Sequence, residues 1–409
     1  MKREAVIVAS ARSPIGRANK GSLVDMRADD LAVQMVKAAL AQVPGLDPAE
    51  IDDILLGCGL PGGEQGNNMG RVVSVLAGLD SVPGTTITRY CASSLQTTRM
   101  AMHAILAGEG EVYISAGVET VSRYGRGSAD ETPGISVTNP KFDAAMTRTL
   151  KRSSAKAASW SDPRYVDVLP DVYIKMGQTA ENVQQLLGIT RAEQDEYAVR
   201  SQQLAAEAKA RGFWDRDITP VQLNDGSIVA QDDSPRPGTT LDGVGALVPV
   251  FRPDGTVTAG NSCPLSDGAA ALVIMSSMKA KDLGLTPLAR IVATSVTGLS
   301  PEIMGLGPVS ASQQVLKQAG LSMADMDLIE INEAFAVQVI GSARELGVPY
   351  DRLNVNGGAI ALGHPFGMTG ARITNTLMNG LRERDGTFGL ETMCIGGGMG
   401  MAMILERLS

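Results

Sequence analysis

Two eight-residue stretches 275 positions apart share one pattern, and this restricts the fold more than any other feature of the chain. Asp47-Pro48-Ala49-Glu50-Ile51-Asp52-Asp53-Ile54 is echoed by Ser322-Met323-Ala324-Asp325-Met326-Asp327-Leu328-Ile329. Each follows a stretch with helical periodicity, residues 28–42 and 309–319, and each leads into a short apolar run suited to a strand. The same offset carries Cys91 to position 366, two residues from His364, and Glu119 to Cys394. One octapeptide match is easily accidental, whereas three landmarks at a constant offset point to a duplicated α/β unit rather than two unrelated ones. A duplicated unit presents two helix N-termini and two strand ends to one centre, where ligands of such sheets gather. Cys91 and His364 would then meet although 273 residues separate them.

At 409 residues the chain exceeds what one hydrophobic core usually supports, so two or three domains are expected. The formal net charge of −8 argues against nucleic acid as a partner, because such binders carry a basic surplus. No apolar run approaches the roughly 18 residues of a membrane span. Glu4 and Arg12 break the pattern of a signal peptide, so Ala5-Val6-Ile7-Val8 reads as a first strand. Cys58, Cys91, Cys263 and Cys394 are widely spaced, without the paired spacing of a metal site or haem attachment. Reduced thiols and a cytoplasmic location are the expectation, with no metal.

Residues 121–250 interrupt the repeat with polar, turn-rich sequence such as Pro133-Gly134 and Ser234-Pro235-Arg236-Pro237-Gly238. Two helices are legible there. One runs from about Gln178 to Gly188; the next opens on the capping box Thr190-Arg191-Ala192-Glu193 and continues to about Arg211. Lys141, Arg148, Lys151, Arg152, Lys156, Arg164 and Lys175 outnumber the acidic residues between them, which suits a landing surface for phosphates, although any one of these residues could simply be solvated.

The chemistry concentrates in glycine-dense tracts. Asn356-Gly357-Gly358-Ala359-Ile360-Ala361-Leu362-Gly363-His364-Pro365 holds one of only two histidines, and Cys394-Ile395-Gly396-Gly397-Gly398-Met399-Gly400 holds a cysteine. Glycine permits close backbone approach, so both tracts suit a ligand lying against main chain. Arg89-Tyr90-Cys91-Ala92-Ser93-Ser94-Leu95-Gln96 reads as a helix that begins at the cysteine. The helix dipole and free N–H groups are expected to lower the Cys91 pKa from ~8.5 towards neutrality and make a nucleophilic thiolate. The bland alternative is a buried, inert thiol. His103 lies about three turns into the same helix and reads as structural.

These three segments, with Asn332-Glu333-Ala334-Phe335-Ala336 and Met176-Gly177-Gln178-Thr179-Ala180-Glu181-Asn182, resemble the five signature blocks of the thiolases, in order and across nearly the whole chain. The resemblance implies an α/β thiolase fold of two βαβαβαββ halves stacked in five layers, α-β-α-β-α. It divides the chain into an N-terminal half (1–120 plus 251–277), a CoA-binding loop domain (121–250) and a C-terminal half (278–409). It implies a homodimer or homotetramer acting on acyl-CoA and CoA, with coenzyme A as substrate and no bound cofactor. By the same resemblance Cys91 carries the acyl group, His364 takes its proton, Cys394 is the second acid–base group, and Gly396 supplies an oxyanion N–H. Asn332 serves a second oxyanion hole. Met176, Phe335 and Cys263 contact the thioester or the pantetheine arm, with core packing the competing reading for Met176 and Phe335.

Gln96, Lys175 and Ser266-Asp267-Gly268 depart from the biosynthetic acetoacetyl-CoA thiolase pattern and lean towards the degradative 3-ketoacyl-CoA enzymes. Cys263 stands where a serine is usual, and Ser94 where a glycine is usual. The alternatives are a biosynthetic acetoacetyl-CoA thiolase, a decarboxylating ketoacyl synthase lacking its second histidine, and a silent thiolase-like lipid-binding protein. The last would be expected to have lost Cys91, His364 or Cys394, and all three are present. Gly396-Gly397-Gly398-Met399-Gly400 lacks the lysine and spacing of a nucleotide-binding loop.

Overall fold

The computed structural model describes residues 3–125, 138–154 and 158–409. Lys156 and the Pro133-Gly134 turn lie outside them.

The first half contains strands β1 (Ala5–Arg12), β2 (Asp53–Cys58), β3 (Gly84–Ile87), β4 (Val112–Thr120) and β5 (Ser266–Ser276). The second contains β6 (Ala289–Gly298), β7 (Leu328–Ile331), β8 (Phe388–Ile395) and β9 (Met399–Arg407). In hydrogen-bonded order they run β7-β8-β9-β6-β1-β5-β4-β2-β3. The two halves have one topology. β2 lies parallel to β4, which is antiparallel to β5, which is antiparallel to β1. Likewise β7 lies parallel to β8, which is antiparallel to β9, which is antiparallel to β6. Among the described residues the half-sheets join where Val6 and Ile7 pair with Arg290 and Ala289.

Helices α1 (Ala28–Leu40), α2 (Ser93–Ala107), α3 (Met176–Leu187), α4 (Arg191–Ala210), α5 (Gly307–Ala319), α6 (Ala336–Leu346) and α7 (Thr369–Glu383) complete the framework. Side chains alternate across each strand, and this period of two sorts the core into layers. On β4, Val112, Ile114, Ala116 and Val118 face an outer cluster with Leu31, Met35 and Val36 of α1. Leu272 and Ile274 of β5 and Met401, Met403 and Leu405 of β9 face a central cluster with Leu95 and Ile105 of α2 and Ile373 and Leu377 of α7. Leu390 of β8 and Ile404 of β9 face a third cluster with Val315 of α5 and Val339 of α6. The layers therefore run helix, sheet, paired helices, sheet, helix, as the resemblance implies.

The helices at 176–187 and 191–210 form as the sequence suggests. Gly188 takes φ +62 at the end of the first, and the reciprocal Thr190–Glu193 capping box starts the second. A helix at Asp143–Arg152 was not legible in the sequence. Among the described residues no helix is long and apolar enough to cross a membrane.

Candidate active site

The start of α2 and the start of α7 meet at the centre with almost no space between them. A Cβ at Gly370 would lie 2.3 Å from the backbone nitrogen of Leu95, and one at Gly117 only 2.1 Å from the carbonyl oxygen of Gly367. Ser94, the serine where glycine is usual, accepts a hydrogen bond from the Ala371 N–H at 3.0 Å. The hydroxyl thus joins the two helices rather than crowding them.

Cys91 is buried, in a single 3₁₀ turn at Tyr90–Ala92; the α-helix itself begins two residues later, at Ser93. Tyr90 adopts φ +44, a left-handed conformation that costs a bulky residue about 1–3 kcal/mol and turns the next side chain sharply. The backbone N–H groups of Gly396 and of Cys91 itself lie close enough to the Cys91 sulfur to favour its thiolate. The Gly396 donor is presented by a turn in which Gly397 and Gly398 take φ +79 and +82, a region that side-chain-bearing residues rarely enter.

The expected low-pKa thiolate is not what the structure shows. Burial pushes the Cys91 thiol up to about 12, against the two N–H donors, with the Glu119 carboxylate adding to the rise. A helix start supplies donors to the sulfur, but the desolvation of a buried thiol outweighs them. Cys91 therefore rests as a thiol and needs a base at the moment of attack.

His364 is fully buried. The Thr369 hydroxyl donates to the Pro365 carbonyl at 2.7 Å, so its oxygen accepts from Nδ1–H of His364 at 2.6 Å. That leaves Nε2 with its lone pair free to accept, 3.3 Å from the side-chain nitrogen of Asn332. Burial, and then the nearby Arg372 guanidinium, lower the imidazole pKa to about 3, so the ring is neutral. Ser266 accepts from the His364 N–H at 3.3 Å, and the Phe366 ring stands edge-on to the imidazole at 5.1 Å. Among the described residues the buried Asn332 Oδ1 has no hydrogen-bond partner.

Glu333, next in the chain, anchors this asparagine. It accepts from Tyr197 at 2.9 Å, Ser201 at 2.6 Å, Asn354 at 2.9 Å and the Ile360 N–H at 3.0 Å. Cys394 is fully buried, and its thiol is pushed well up by burial and by the neighbouring Cys91 and Cys263 sulfurs. Met176 directs its sulfur to within 3.5 Å of where a Gly396 Cβ would stand, and the same spot lies 3.6 Å from the Tyr90 ring. Phe335 packs against Phe251 with ring centroids 6.2 Å apart. His103 is exposed on α2 and takes no part.

Cys263 lines a cavity of about 360 Å³ together with Arg17, Ser234, Arg236, Leu247 and Leu265. Its basic side chains, Arg17 and Arg236, fall outside the 141–175 stretch that the sequence singled out. Within that stretch Arg148 is engaged by Glu302 at 2.9 Å, and Arg152 donates to Asn182 and Gln185. Lys141, Lys151, Arg164 and Lys175 are exposed. A second cavity, of about 540 Å³, is lined by Met146, Leu150, Ile174, Lys175, Gln178 and Phe251. Thr369, Ser266, Glu333 and Phe251 were missed as supporting residues. Thr369 and Ser266 had a usable signal, since each is a hydroxyl within a glycine-rich block.

The thiolase N-terminal domain profile matches residues 5–278, and the thiolase C-terminal domain profile matches residues 285–407. The chain is 45% identical to the β-ketoadipyl-CoA thiolase of Escherichia coli over 99% of its own length and 100% of the relative's. It is 43% identical to the 3-ketoacyl-CoA thiolase of Bacillus subtilis, over 99% of each. Its fold superimposes on the human mitochondrial 3-ketoacyl-CoA thiolase crystallised with CoA at a TM-score of 0.84, with 36% identity, covering 100% of this chain and 98% of that one. The chain belongs to the thiolase family.

Proposed function

We propose that the protein cleaves 3-ketoacyl-CoA with CoA, giving acetyl-CoA and a shortened acyl-CoA, and runs the reverse Claisen condensation through the same intermediate. The observation that carries this reading is the direct packing of two helix starts, one preceded by the buried Cys91 and the other by the loop that holds the neutral, tautomer-fixed imidazole of His364. Cys91 gives its proton to Nε2 of His364 as its sulfur attacks the keto carbon. The N–H of Nε2, aided by Asn332, then stabilises the oxyanion. Breaking the C2–C3 bond leaves the acyl group on Cys91 and an enolate of acetyl-CoA, which takes a proton from Cys394. The Cys394 thiolate next takes the proton of incoming CoA, whose sulfur displaces Cys91 from the thioester. The departing thiolate recovers its proton from His364. The Cys91 and Gly396 N–H groups suit the thioester oxygen of the acyl-enzyme.

CoA fits the cavity lined by Cys263, with Arg17 and Arg236 placed to meet phosphate. The acyl chain fits the larger cavity lined by Met146, Leu150 and Phe251. The identity to β-ketoadipyl-CoA thiolases favours, as a second substrate reading, a 3-ketoacyl chain ending in a carboxylate, for which the exposed Lys175 is the nearby cation. Mass analysis after incubation with an acyl-CoA tests the mechanism. One acyl group is expected on the Cys91 peptide; label confined to Cys394 or Cys263 would overturn it.

A further inference from the structure

The structural correspondence between the halves is a shift of 276 through the central elements. It carries α2 (Ser93–Ala107) onto α7 (Thr369–Glu383) and Val112 of β4 onto Phe388 of β8. Under this shift the counterpart of Cys91 is Gly367. Each position is met by the strand end of the opposite half. At Cys91 the donor is the N–H of Gly396, just beyond β8. At Gly367 the direction is reversed: its N–H donates 2.9 Å to the carboxylate of Glu119, at the end of β4.

Glu119 is fully buried, and the groups that face it are donors. Oε2 also accepts from the Gly59 N–H at 2.7 Å. Oε1 accepts from the Gln65 side chain at 2.8 Å, the Leu60 N–H at 3.4 Å and the Cys58 thiol at 3.8 Å, and the Tyr124 hydroxyl adds a further bond. Burial raises its pKa while these donors oppose the rise. The carboxylate thus joins the end of β2, the Gly63–Gln65 turn, the loop after β4 and the loop between His364 and Thr369. That loop has no slack, since a Cβ at Gly367 would lie 2.2 Å from the Val118 carbonyl oxygen and 2.8 Å from that of Gly57.

We propose that Glu119 is a positioning residue for the reaction: its carboxylate ties the loop of His364 in one half to the strand end of the other, and so fixes where the imidazole stands relative to Cys91. The position that would correspond to a second nucleophile has become an anchor for the first. The inference rests on the acyl-Cys91 reading of the site. Among the described residues, none of Glu119's hydrogen-bond partners lines the cavity assigned to CoA, so its effect belongs to turnover and not to substrate affinity.

Glu119→Gln keeps the side chain's size but turns an N–H₂ group towards donors. Displacing a reacting group by about 1 Å can cost on the order of a hundredfold in rate. In a variant shown to be folded by circular dichroism, kcat for acetoacetyl-CoA thiolysis is expected to fall at least tenfold, with KM within threefold of wild type. A smaller fall, or a loss carried by KM, overturns the proposal. Should Glu119→Gln not fold, Gln65→Met removes one donor and leaves the carboxylate in place; a fall in kcat of threefold or more supports the proposal and a smaller one overturns it. Acyl-Cys91 should still accumulate in either variant on long incubation. Its absence from wild type would count against the acyl-enzyme mechanism itself, which separates the two failures.

Discussion

The hydroxyl of Thr369 stands 2.6 Å from Nδ1 of His364 and spends its only proton on the Pro365 carbonyl. It therefore sets the imidazole tautomer and leaves the Nε2 lone pair as the one basic site on the ring. Thr369→Val removes the acceptor while keeping the shape. A buried Nδ1–H without a partner costs about 1–3 kcal/mol, and the other tautomer, with its proton on Nε2, would escape that cost. The variant should lose about tenfold to a hundredfold in the rate of Cys91 acylation, measured by stopped mass analysis. Acylation at the wild-type rate would show that the tautomer is set elsewhere.

The pH dependence follows from two opposed shifts. Burial raises Cys91 to about 12 and lowers His364 to about 3. In the free enzyme the thiolate fraction should grow tenfold per pH unit throughout the neutral and alkaline range. Alkylation of Cys91 by iodoacetamide should rise with unit slope from pH 7 to 10 without levelling. The imidazole, neutral at all pH values well above 3, should give kcat/KM no acid limb near 6.5. An alkylation plateau near neutrality would restore the helix-stabilised thiolate.

Cys394→Ala separates the two thiols. Cys91 should still be alkylated by iodoacetamide at close to the wild-type rate, while Claisen condensation and thiolysis lose roughly 10²–10⁴-fold, the usual size of an acid–base contribution. Equal losses in alkylation and cleavage would remove Cys394 from its separate role.

Close packing at the centre gives a stability prediction. Gly117→Ala sets a methyl 2.1 Å from the Gly367 oxygen and 2.5 Å from the Ser94 Cβ. Neither the strand nor the helix start can yield cheaply, so a loss of about 1–3 kcal/mol is expected, read as a lower midpoint in urea. An unchanged midpoint would mean that the two helix starts have more freedom than the contacts imply.

The repeat was legible because it depends on pattern. The octapeptides at 47–54 and 322–329 do precede equivalent strands, and β2 and β7 stand 275 residues apart at their first residues. The pairing of Glu119 with Cys394 does not hold. The shift is 276 by the time the chain reaches β4, and one residue turns a strand side chain to the other face. Glu119 follows Tyr113 and Ser115 towards the central helices, where Ser115 bonds Thr97 at 2.8 Å, whereas Cys394 lies in the third cluster, with Val315 and Val339. The rare residues Cys91, His364 and Cys394 stood out in glycine-rich surroundings. The anchors Glu119 and Glu333 did not, because their partners are mostly backbone N–H groups and side chains far away in sequence. The Cys91 pKa lies above the sequence expectation because burial is a tertiary property that a helix start does not reveal.

The acyl chain should be longer than that of acetoacetyl-CoA. Gln96, Lys175 and Ser266-Asp267-Gly268 suggest this from the sequence, and the cavity of about 540 Å³ beside Lys175 and Phe251 supplies the room. Lys175 is exposed, so its apolar stem can cover the wall while its charge stays outward. Met146, Leu150, Ile174 and Phe251 offer the apolar surface. Each methylene that finds such wall gains up to about 0.8 kcal/mol, close to fourfold in affinity. Thiolysis efficiency should therefore rise from the four-carbon substrate to eight-carbon 3-ketoacyl-CoA, and Met146→Trp, which fills the cavity, should erase the gain while leaving the four-carbon rate near wild type. A six-carbon chain ending in carboxylate distinguishes the second substrate reading: if it is preferred, Lys175→Met should abolish the preference. Wild-type enzyme that acylates Cys91 normally yet cleaves acetoacetyl-CoA at least as well as every longer substrate would assign this cavity to something other than the acyl chain.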